Sequence, residues 1–284
     1  MNLILGVLAV RDYSLVVLDV VDSTNTELFK MARNETTGPL WLLAKEQTAG
    51  RGRRGAVWKH KKGNFAGSLL LIMQDDLSKI ATLSFVAGLA IIDAIGACVN
   101  NLDSTASISV GLDIVRCKQG DRLGLKWPND VLLDTRKIAG ILVETELLSN
   151  GKRAVVVGIG VNIKSFPDSQ LYNVASIAAF YGGITLERFF VHLSNSWARL
   201  FYFWEQGFFY RIINLWLDRA VGLGGTVSVS TGSECITGVF ETVNPDGLLV
   251  MKARDETLWR ISSGVAYFGS ACEYVSHNGG QVDP

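Results

Sequence analysis

The chain has 284 residues, of which 48% are hydrophobic, and its 27 basic residues balance its 27 acidic residues. This length suits one large domain, or a large domain followed by a small one. The zero net charge argues against a protein that binds nucleic acid through an overall basic surface.

Two apolar segments raise the question of a membrane anchor. Met1–Val10 is about half the ~20 residues that a span needs, and it lacks the basic start and cleavage site of a signal peptide. The apolar stretches within Ile80–Val99 are interrupted by Ser84, Gly88 and Asp93, which favours a buried core helix. We therefore expect no membrane association and a cytoplasmic location.

The cysteines and histidines indicate neither a disulfide framework nor a metal site. The four cysteines lie far apart and form no CxxC pair, so reduced core thiols are expected. The three histidines do not have the spacing of metal ligands. These residues are Cys98, Cys117, Cys235 and Cys272, and His60, His192 and His277.

Strands and helices are mixed along the first part of the chain. Tyr13–Val21 is β-branched and apolar, which predicts a buried strand, and Asp22–Asn25 offers N-cap residues to a helix over Thr26–Arg33. A Gly- and Arg-rich loop is predicted over Glu46–Asn64 and one long helix over Leu77–Asn100. Further strands are predicted at Leu40–Lys45, Phe65–Met73, Ile108–Val115, Arg122–Trp127, Val131–Leu133, Lys137–Glu146 and Ala154–Ile163.

The character of the sequence changes after Gly222. Before it, Thr185 can cap a helix that runs to Phe203, and a second helix covers Phe208–Ala220. After it, short strands separated by turns predict a small all-β barrel. We expect a catalytic domain over residues 1–220, a barrel over 221–275 and a flexible tail over 276–284. The barrel strands are predicted at Thr226–Ser230, Cys235–Thr242, Leu248–Lys252 and Thr257–Ile261.

The most unusual segment is Gln47–Gly55 (QTAGRGRRG), which interleaves glycine with arginine. Glycine lets the backbone approach an anion closely, and successive N–H groups in such a loop form an anion nest. Arginine adds forked donors for phosphate. A disordered basic loop or a nucleic-acid patch is the alternative, and the spacing is not that of a Walker A loop.

The segment Leu125–Asp130 (LKWPND) presents an amide and a carboxylate after an apolar strand. Pro128 fixes φ and stops the strand ladder, so Asn129 and Asp130 are expected at a strand edge. The carboxylate could help to hold Mg²⁺ or orient a ribose or an amine. A plain Asx turn is the alternative.

Two more strands carry weaker signals. Lys137 leads the apolar segment RKIAGIL, where its charge suits a carboxylate or an α-phosphate at the mouth of a pocket, although an ordinary strand-edge lysine is the alternative. In Gly158–Asn162 (GIGVN) the glycines let a group pack flat against the strand. Close packing of a helix on the strand explains this motif equally well.

Taken together and in this order, these segments resemble bacterial biotin protein ligases (biotin–acetyl-CoA-carboxylase ligases). GRGRRG, KWPND and KIAGIL carry the resemblance, supported by Asp22–Asn25 and Gly158–Asn162. It implies an α+β fold of the class II synthetase-like type, in which helices flank a mixed sheet and a small SH3-like barrel follows. It also implies an ATP-dependent ligase that forms biotinyl-AMP and transfers biotin to a lysine of a biotin carboxyl carrier domain.

The resemblance also implies roles for single residues. Lys137 would bind the biotin carboxylate and the α-phosphate, and Arg51, Arg53 and Asp130 would complete the catalytic group. Mg²⁺ would act with ATP, without a tight site of protein ligands alone. Biotin would contact Ser23, Thr24, Asn25, Gln47, Gly50, Arg51, Lys137, Gly140 and Leu142, and ATP would contact Arg53, Arg54, Trp58, Asn129, Lys137 and Asn162.

Two departures from the family pattern matter. Val174–Ile177 (VASI) stands where the family often has Ala-Thr-Ser-Leu, so adenine contacts are not assigned. No N-terminal winged helix fits before Tyr13, which resembles the ligase-only form, so we expect no DNA binding. A lipoate ligase or lipoyl/octanoyl transferase, a nucleic-acid-binding module and a catalytically silent scaffold are the rival interpretations. A homodimer formed by sheet-edge pairing stays open.

Overall fold

A computed structural model describes residues 13–102, 112–117, 122–167, 173–232 and 234–268. The predictions for Met1–Val10, for 108–111 and for the tail 276–284 lie outside these ranges, as do Cys272 and His277. The chain divides into two compact units. The larger comprises the residues up to Val221 together with Pro245–Gly247, and the smaller comprises Gly222–Asn244 and the residues from Leu248 onward.

The larger unit is built on a seven-stranded mixed sheet in the order β1-β2-β3-β7-β6-β5-β4. Only the β1–β2 pair is parallel among these neighbours. This mixed sheet flanked by helices confirms the predicted fold class. The strands are β1 (Ser14–Val21), β2 (Leu40–Gln47), β3 (Phe65–Met73), β4 (Leu123–Lys126), β5 (Asp130–Leu133), β6 (Arg136–Leu147) and β7 (Arg153–Val161).

The helices of this unit largely follow the predicted pattern, with one break. The single helix predicted over Leu77–Asn100 is wrong, because the chain turns at Thr82. The Thr82 hydroxyl donates to the Lys79 carbonyl at 2.6 Å and accepts from Trp204 Nε1 at 2.7 Å, and such side-chain bonds compete with helical ones. The helices are α1 (Thr24–Arg33), α2 (Leu77–Ala81), α3 (Leu83–Val99), α4 (Leu186–Glu205) and α5 (Phe209–Leu217).

Helix α3 is the centre of the core. All its residues except Ser84 and Val99 are buried. Leu77–Val99 is long and apolar enough to cross a membrane, alone among the described residues, but 89% of its most apolar part is buried in the protein. The prediction of a buried core helix is therefore confirmed for Leu83–Val99. Helix α4 packs on α3, and within α4 Trp197 is stacked on Phe201 at 5.5 Å.

The strand predicted over Ile108–Val115 is wrong for its described end. Residues 112–117 have no regular secondary structure. The Val115 N–H donates to Asp93 Oδ1 of α3 at 2.7 Å, so a buried carboxylate replaces a strand partner. Asp93 also pairs with Arg199 of α4 at 2.7 Å. Residues 112–117 therefore pack against α3 and do not extend the sheet.

The smaller unit is a five-stranded antiparallel sheet in the order β11-β10-β9-β8-β12. Its last strand was not predicted. Cys98 and Cys117 are free and buried as expected, but Cys235 is disulfide-bonded, so the prediction of a reduced core thiol is wrong there; Cys235 is exposed at the start of its strand. The strands are β8 (Thr226–Ser230), β9 (Cys235–Val243), β10 (Leu249–Lys252), β11 (Leu258–Ile261) and β12 (Val265–Phe268).

Candidate active site

One end of the candidate site lies where β1 ends and α1 begins. The Thr24 N–H and hydroxyl both donate to Gln47 Oε1, at 2.8 and 3.0 Å. The Ser68 hydroxyl on β3 lies 2.6 Å from both Thr24 Oγ1 and Asn25 Oδ1. Ser23, Thr24, Asn25 and Ser68 are buried although they are polar. Such a cluster of uncharged donors and acceptors suits a neutral polar ligand, since buried polar groups require partners.

The Gly- and Arg-rich loop folds back on itself after β2. Arg51 and Val57 form an isolated antiparallel bridge, and the Gly52 N–H donates to the Ala56 carbonyl at 2.7 Å. The Trp58 N–H donates to the Gly50 carbonyl at 2.9 Å. A Cβ on Gly50 would lie 2.5 Å from the Trp58 carbonyl oxygen, so only glycine fits there. The loop is thus an ordered hairpin that carries Trp58 toward the sheet.

The Trp58 indole packs on a cradle of two glycines, Gly140 of β6 and Gly160 of β7, which pair across the two strands. A Cβ on Gly160 would lie 2.4 Å from Trp58 Cε2, and one on Gly140 would lie 3.2 Å from Trp58 Cζ3. The Lys137 Nζ lies 5.8 Å from the indole centroid. The loop and Lys137 therefore meet on one surface of the sheet.

The opposite end of the site is charged. The Lys137 Nζ lies 2.6 Å from Asp130 Oδ1, and both side chains are largely buried. Arg53 NH1 donates to Asn129 Oδ1 at 3.2 Å, which joins the loop to the LKWPND segment. Burial lowers the pKa of Lys126, and nearby Lys137 lowers it further while Asp130 opposes the change. Three basic groups therefore share this end with one carboxylate, an arrangement that suits an anionic ligand.

Asn162 lies beyond the cradle, just after β7. Its Nδ2 donates to the Ala175 carbonyl at 3.2 Å, and its Oδ1 accepts from buried Asn64 at 3.4 Å. The Ala175 N–H donates to the Lys137 carbonyl at 3.0 Å. The VASI segment therefore lies beside Lys137, with which Val174 forms an isolated parallel β-bridge.

Comparisons with known proteins decide the family. Residues 17–162 match the profile of the biotin/lipoate A/B protein ligase family. The chain belongs to this family. A biotin–[acetyl-CoA-carboxylase] ligase from Paracoccus denitrificans is 38% identical over 241 residues, which cover 81% of this chain and 91% of that protein. The bifunctional ligase/repressor BirA of Bacillus subtilis is 27% identical, over 84% of this chain and 69% of its own.

A solved structure agrees on the fold. The biotin protein ligase from Aquifex aeolicus, in complex with biotin and ATP, superimposes with a TM-score of 0.68. The match covers 89% of this chain and 97% of that one at 24% identity. The resemblance stated from the sequence is thereby confirmed for family and fold.

Most residues that the sequence singled out in this ligase lie in two connected groups. The uncharged group contains the α1 start, Gln47 and Gly50, and it includes the Leu142 carbonyl, which accepts from Asn25 Nδ2 at 3.3 Å. The charged group contains Lys137, which lies beside Trp58 and is paired with Asp130, and Arg53, which is bonded to Asn129. Arg54 is exposed with a φ of 54°, at the tip of the loop.

Arg51 is placed differently from the expectation that its charge serves phosphates. Its guanidinium makes a bidentate ion pair with Glu144 of β6, at 2.8 and 2.7 Å. Glu144 and Ser68 were missed by the sequence reasoning. Both are polar residues within mostly apolar strands, and that pattern was the available signal.

Proposed function

We propose that the protein is a biotin–[acetyl-CoA-carboxylase] ligase, which forms biotinyl-AMP from biotin and ATP and then transfers biotin to a lysine of a biotin carboxyl carrier domain. One observation carries the proposal. On one face of β6 and β7, the buried polar cluster meets Gly158 through Asn25, and Trp58 covers Gly140 and Gly160 beside Lys137. Biotin has the matching chemistry, with a neutral polar ring at one end and a carboxylate at the other.

The uncharged pocket would bind the ureido ring. Thr24 and Gln47 already hold each other through the Gln47 Oε1 atom, which orients the remaining amide group. Ser23 and Asn25 add further buried polar atoms. Gly50 would let the backbone close on the ring, and Gly140 would let Trp58 and Lys137 lie close to β6 beside the ligand.

The charged group around Lys137 would catalyse the adenylation. A carboxylate oxygen of biotin attacks the α-phosphorus, the bond from that phosphorus to the bridging oxygen breaks, and pyrophosphate leaves. Positioning and electrostatics dominate such reactions. Lys137 and Arg53 would supply the positive charge. Lys137 is paired with Asp130 in the structure. The biotin carboxylate and the α-phosphate would bind Lys137 in place of Asp130, which would then be free.

The released Asp130 would then serve the second step. The acceptor lysine must lose a proton before its amine can attack the carbonyl carbon of biotinyl-AMP, and a nearby carboxylate can orient that amine. The bond from the carbonyl carbon to the phosphate oxygen breaks, and AMP leaves as an amide forms. Water must be excluded meanwhile, which is the role proposed for the loop.

Mg²⁺ would act at this site as a companion of ATP. The described residues hold no group of three His, Cys, Asp or Glu side chains that could bind a metal. Mg²⁺ commonly keeps several waters and binds through one or two carboxylates plus substrate phosphates. Asp130 is the carboxylate within the charged group, and the ion would offset the charge of the triphosphate there.

We also propose that nucleic acid is not a partner. Arg51 is paired with Glu144 and Arg53 with Asn129, so these loop arginines are turned toward the protein itself. A homodimer through a sheet edge stays a prediction; β1 is an edge strand of the seven-stranded sheet and exposes Val17 and Val20.

The deciding experiment combines the protein with biotin, ATP, Mg²⁺ and a biotin carboxyl carrier domain, followed by intact-mass spectrometry of the carrier. We expect one biotinyl group per carrier and none on a carrier whose acceptor lysine is replaced. A parallel reaction with lipoate tests the lipoate ligase. Modification by lipoate and not by biotin would overturn the assignment.

A further inference from the structure

Strand β6 carries two glutamates that each hold an arginine from another element. Glu144 makes its bidentate pair with Arg51 of the loop, and Glu146 pairs with Arg33 at the end of α1, with its closer contact at 2.5 Å. Residues two apart on a strand point to the same face. The two ion pairs are therefore alike in chemistry, but Glu144 connects β6 to the loop whereas Glu146 connects β6 to α1.

We propose that Glu144 is a positioning residue that latches the Gly- and Arg-rich loop in its closed form and so retains biotin and biotinyl-AMP. The inference rests on the proposed function and adds a residue to it. Glu144 is placed in neither step of the chemistry, and it acts on the ligand through Arg51 of the loop and through Asn25.

The Glu144 carboxylate is held in place by hydrogen bonds to the rest of the larger unit. Glu144 Oε2 also accepts from Asn25 Nδ2 at 2.8 Å, and Asn25 Oδ1 lies 2.6 Å from the Ser68 hydroxyl. A Cβ on Gly158 would lie 2.3 Å from Asn25 Oδ1, so glycine at that position makes room for the amide. The carboxylate is thus held in place before the arginine meets it.

The loop is held at both ends of the stretch expected to cover biotin. Gln47 is bonded to Thr24 at the start, and Arg51 is bonded to Glu144 at the end, with Gly50 between them. The Gly50 carbonyl accepts from the Trp58 N–H, so the latch also supports the indole on its glycine cradle. Opening the Arg51–Glu144 pair would release the Arg51 end of this stretch, while Gln47 stays bonded to Thr24.

The pair is suited to open and close. The Arg51 side chain is 44% exposed and that of Glu144 is 26% exposed, so water can solvate both groups when they separate. A bidentate arginine–carboxylate pair is nevertheless specific in geometry when closed. Because Arg51 is occupied by Glu144, the positive charge at the phosphates falls to Arg53 and Lys137.

The test compares Glu144→Gln with Glu146→Gln, a matched control on the same face of the same strand. Glutamine keeps the shape and an acceptor for Asn25, but it removes the charge that holds Arg51. We expect Glu144→Gln to raise the KM for biotin about tenfold and to raise AMP release per biotin transferred, with kcat at saturating biotin nearly kept. Glu146→Gln should change none of these values. Equal kinetics in the two variants would overturn the proposal.

A second measurement does not depend on catalysis. Trypsin cleaves after arginine, so limited digestion at Arg53 and Arg54 reports loop opening in the protein alone. Cleavage there should be faster in Glu144→Gln than in Glu146→Gln, and Arg51→Gln should match Glu144→Gln without adding to it in the double variant. Equal cleavage rates in the two glutamate variants contradict the latch. An inactive wild-type protein with faster cleavage in Glu144→Gln instead contradicts the proposed function alone.

Discussion

At the scale of single residues, Lys137 is the group on which the adenylation depends most. Its Nζ lies 5.8 Å from the Trp58 indole centroid, and it would neutralise both anions that must meet. We expect Lys137→Ala to slow biotin-dependent ATP–pyrophosphate exchange at least ~100-fold, about 2.7 kcal/mol of barrier. Exchange at the wild-type rate would remove Lys137 from the mechanism.

Gly160 tests the cradle independently of charge. Alanine there would place a methyl group 2.4 Å from the Trp58 ring, so the indole must move off β7. We expect Gly160→Ala to raise the KM for biotin at least about tenfold, equivalent to roughly 1.4 kcal/mol of binding. Gly182→Ala is the control, because nothing lies within 4 Å of a Cβ at that position. A wild-type KM in Gly160→Ala would show that biotin does not use this surface.

The sequence was enough to single out candidate site residues whose type is unusual for their position. Glycines beside arginines, and a lysine at the head of an apolar strand, indicated the loop and Lys137 without any coordinates. It could not pair Arg51 with Glu144, because those residues are 93 positions apart and their meeting depends on the loop closing on a distant strand. The role of Ser68 depends similarly on which strand lies beside α1.

At the scale of elements, the packing of α3 depends on its glycines. A Cβ on Gly96 would lie 2.6 Å from the backbone oxygen of Val115, whereas one on Gly88 would meet the side chain of Leu125 at 3.0 Å. Backbone cannot yield as a leucine rotamer can. We expect Gly96→Ala to lower the free energy of unfolding by about 1–3 kcal/mol and Gly88→Ala to lower it less, measured by urea denaturation. A larger loss in Gly88→Ala would contradict this.

Element predictions succeeded where local pattern decides the structure and failed where a tertiary partner does. Apolar runs gave β3 and β7 nearly to the residue, and Thr185 caps α4 by accepting from the Arg188 N–H. The break at Thr82 depends on Trp204, which is 122 residues away. Residues 112–117 were misjudged because buried Asp93 supplies the acceptor that a strand would have supplied.

At the scale of the whole molecule, the sequence has equal numbers of acidic and basic residues, and several of them form ion pairs in the folded ligase. Arg33, Arg51 and Arg199 each meet a carboxylate from a distant part of the chain, and Lys137 meets Asp130 of the adjacent strand β5. Such pairs fix elements relative to one another within the larger unit, and at Lys137 the pair also keeps a cation ready for an anionic substrate. His192 differs from these groups, because the fold disfavours its charged form.

His192 makes the stability of the ligase depend on pH. It is buried on α4, where loss of hydration lowers its pKa and Arg188 lowers it further, while Asp93 and a backbone bond oppose this. Below the unfolded value of about 6.5 the unfolded chain therefore binds a proton that the folded chain does not. Stability falls as pH decreases from there toward the folded pKa, by up to about 1.4 kcal/mol per pH unit.

His192→Gln removes this proton while keeping a polar side chain of similar size. The wild-type advantage in free energy of unfolding over the variant should therefore shrink between pH 7.5 and pH 5, measured by urea denaturation at each pH. Other groups titrate equally in both proteins and cancel in the difference, including His60, whose pKa burial also lowers. A difference that stays constant over this range would mean that His192 is protonated as easily inside the protein as in the unfolded chain.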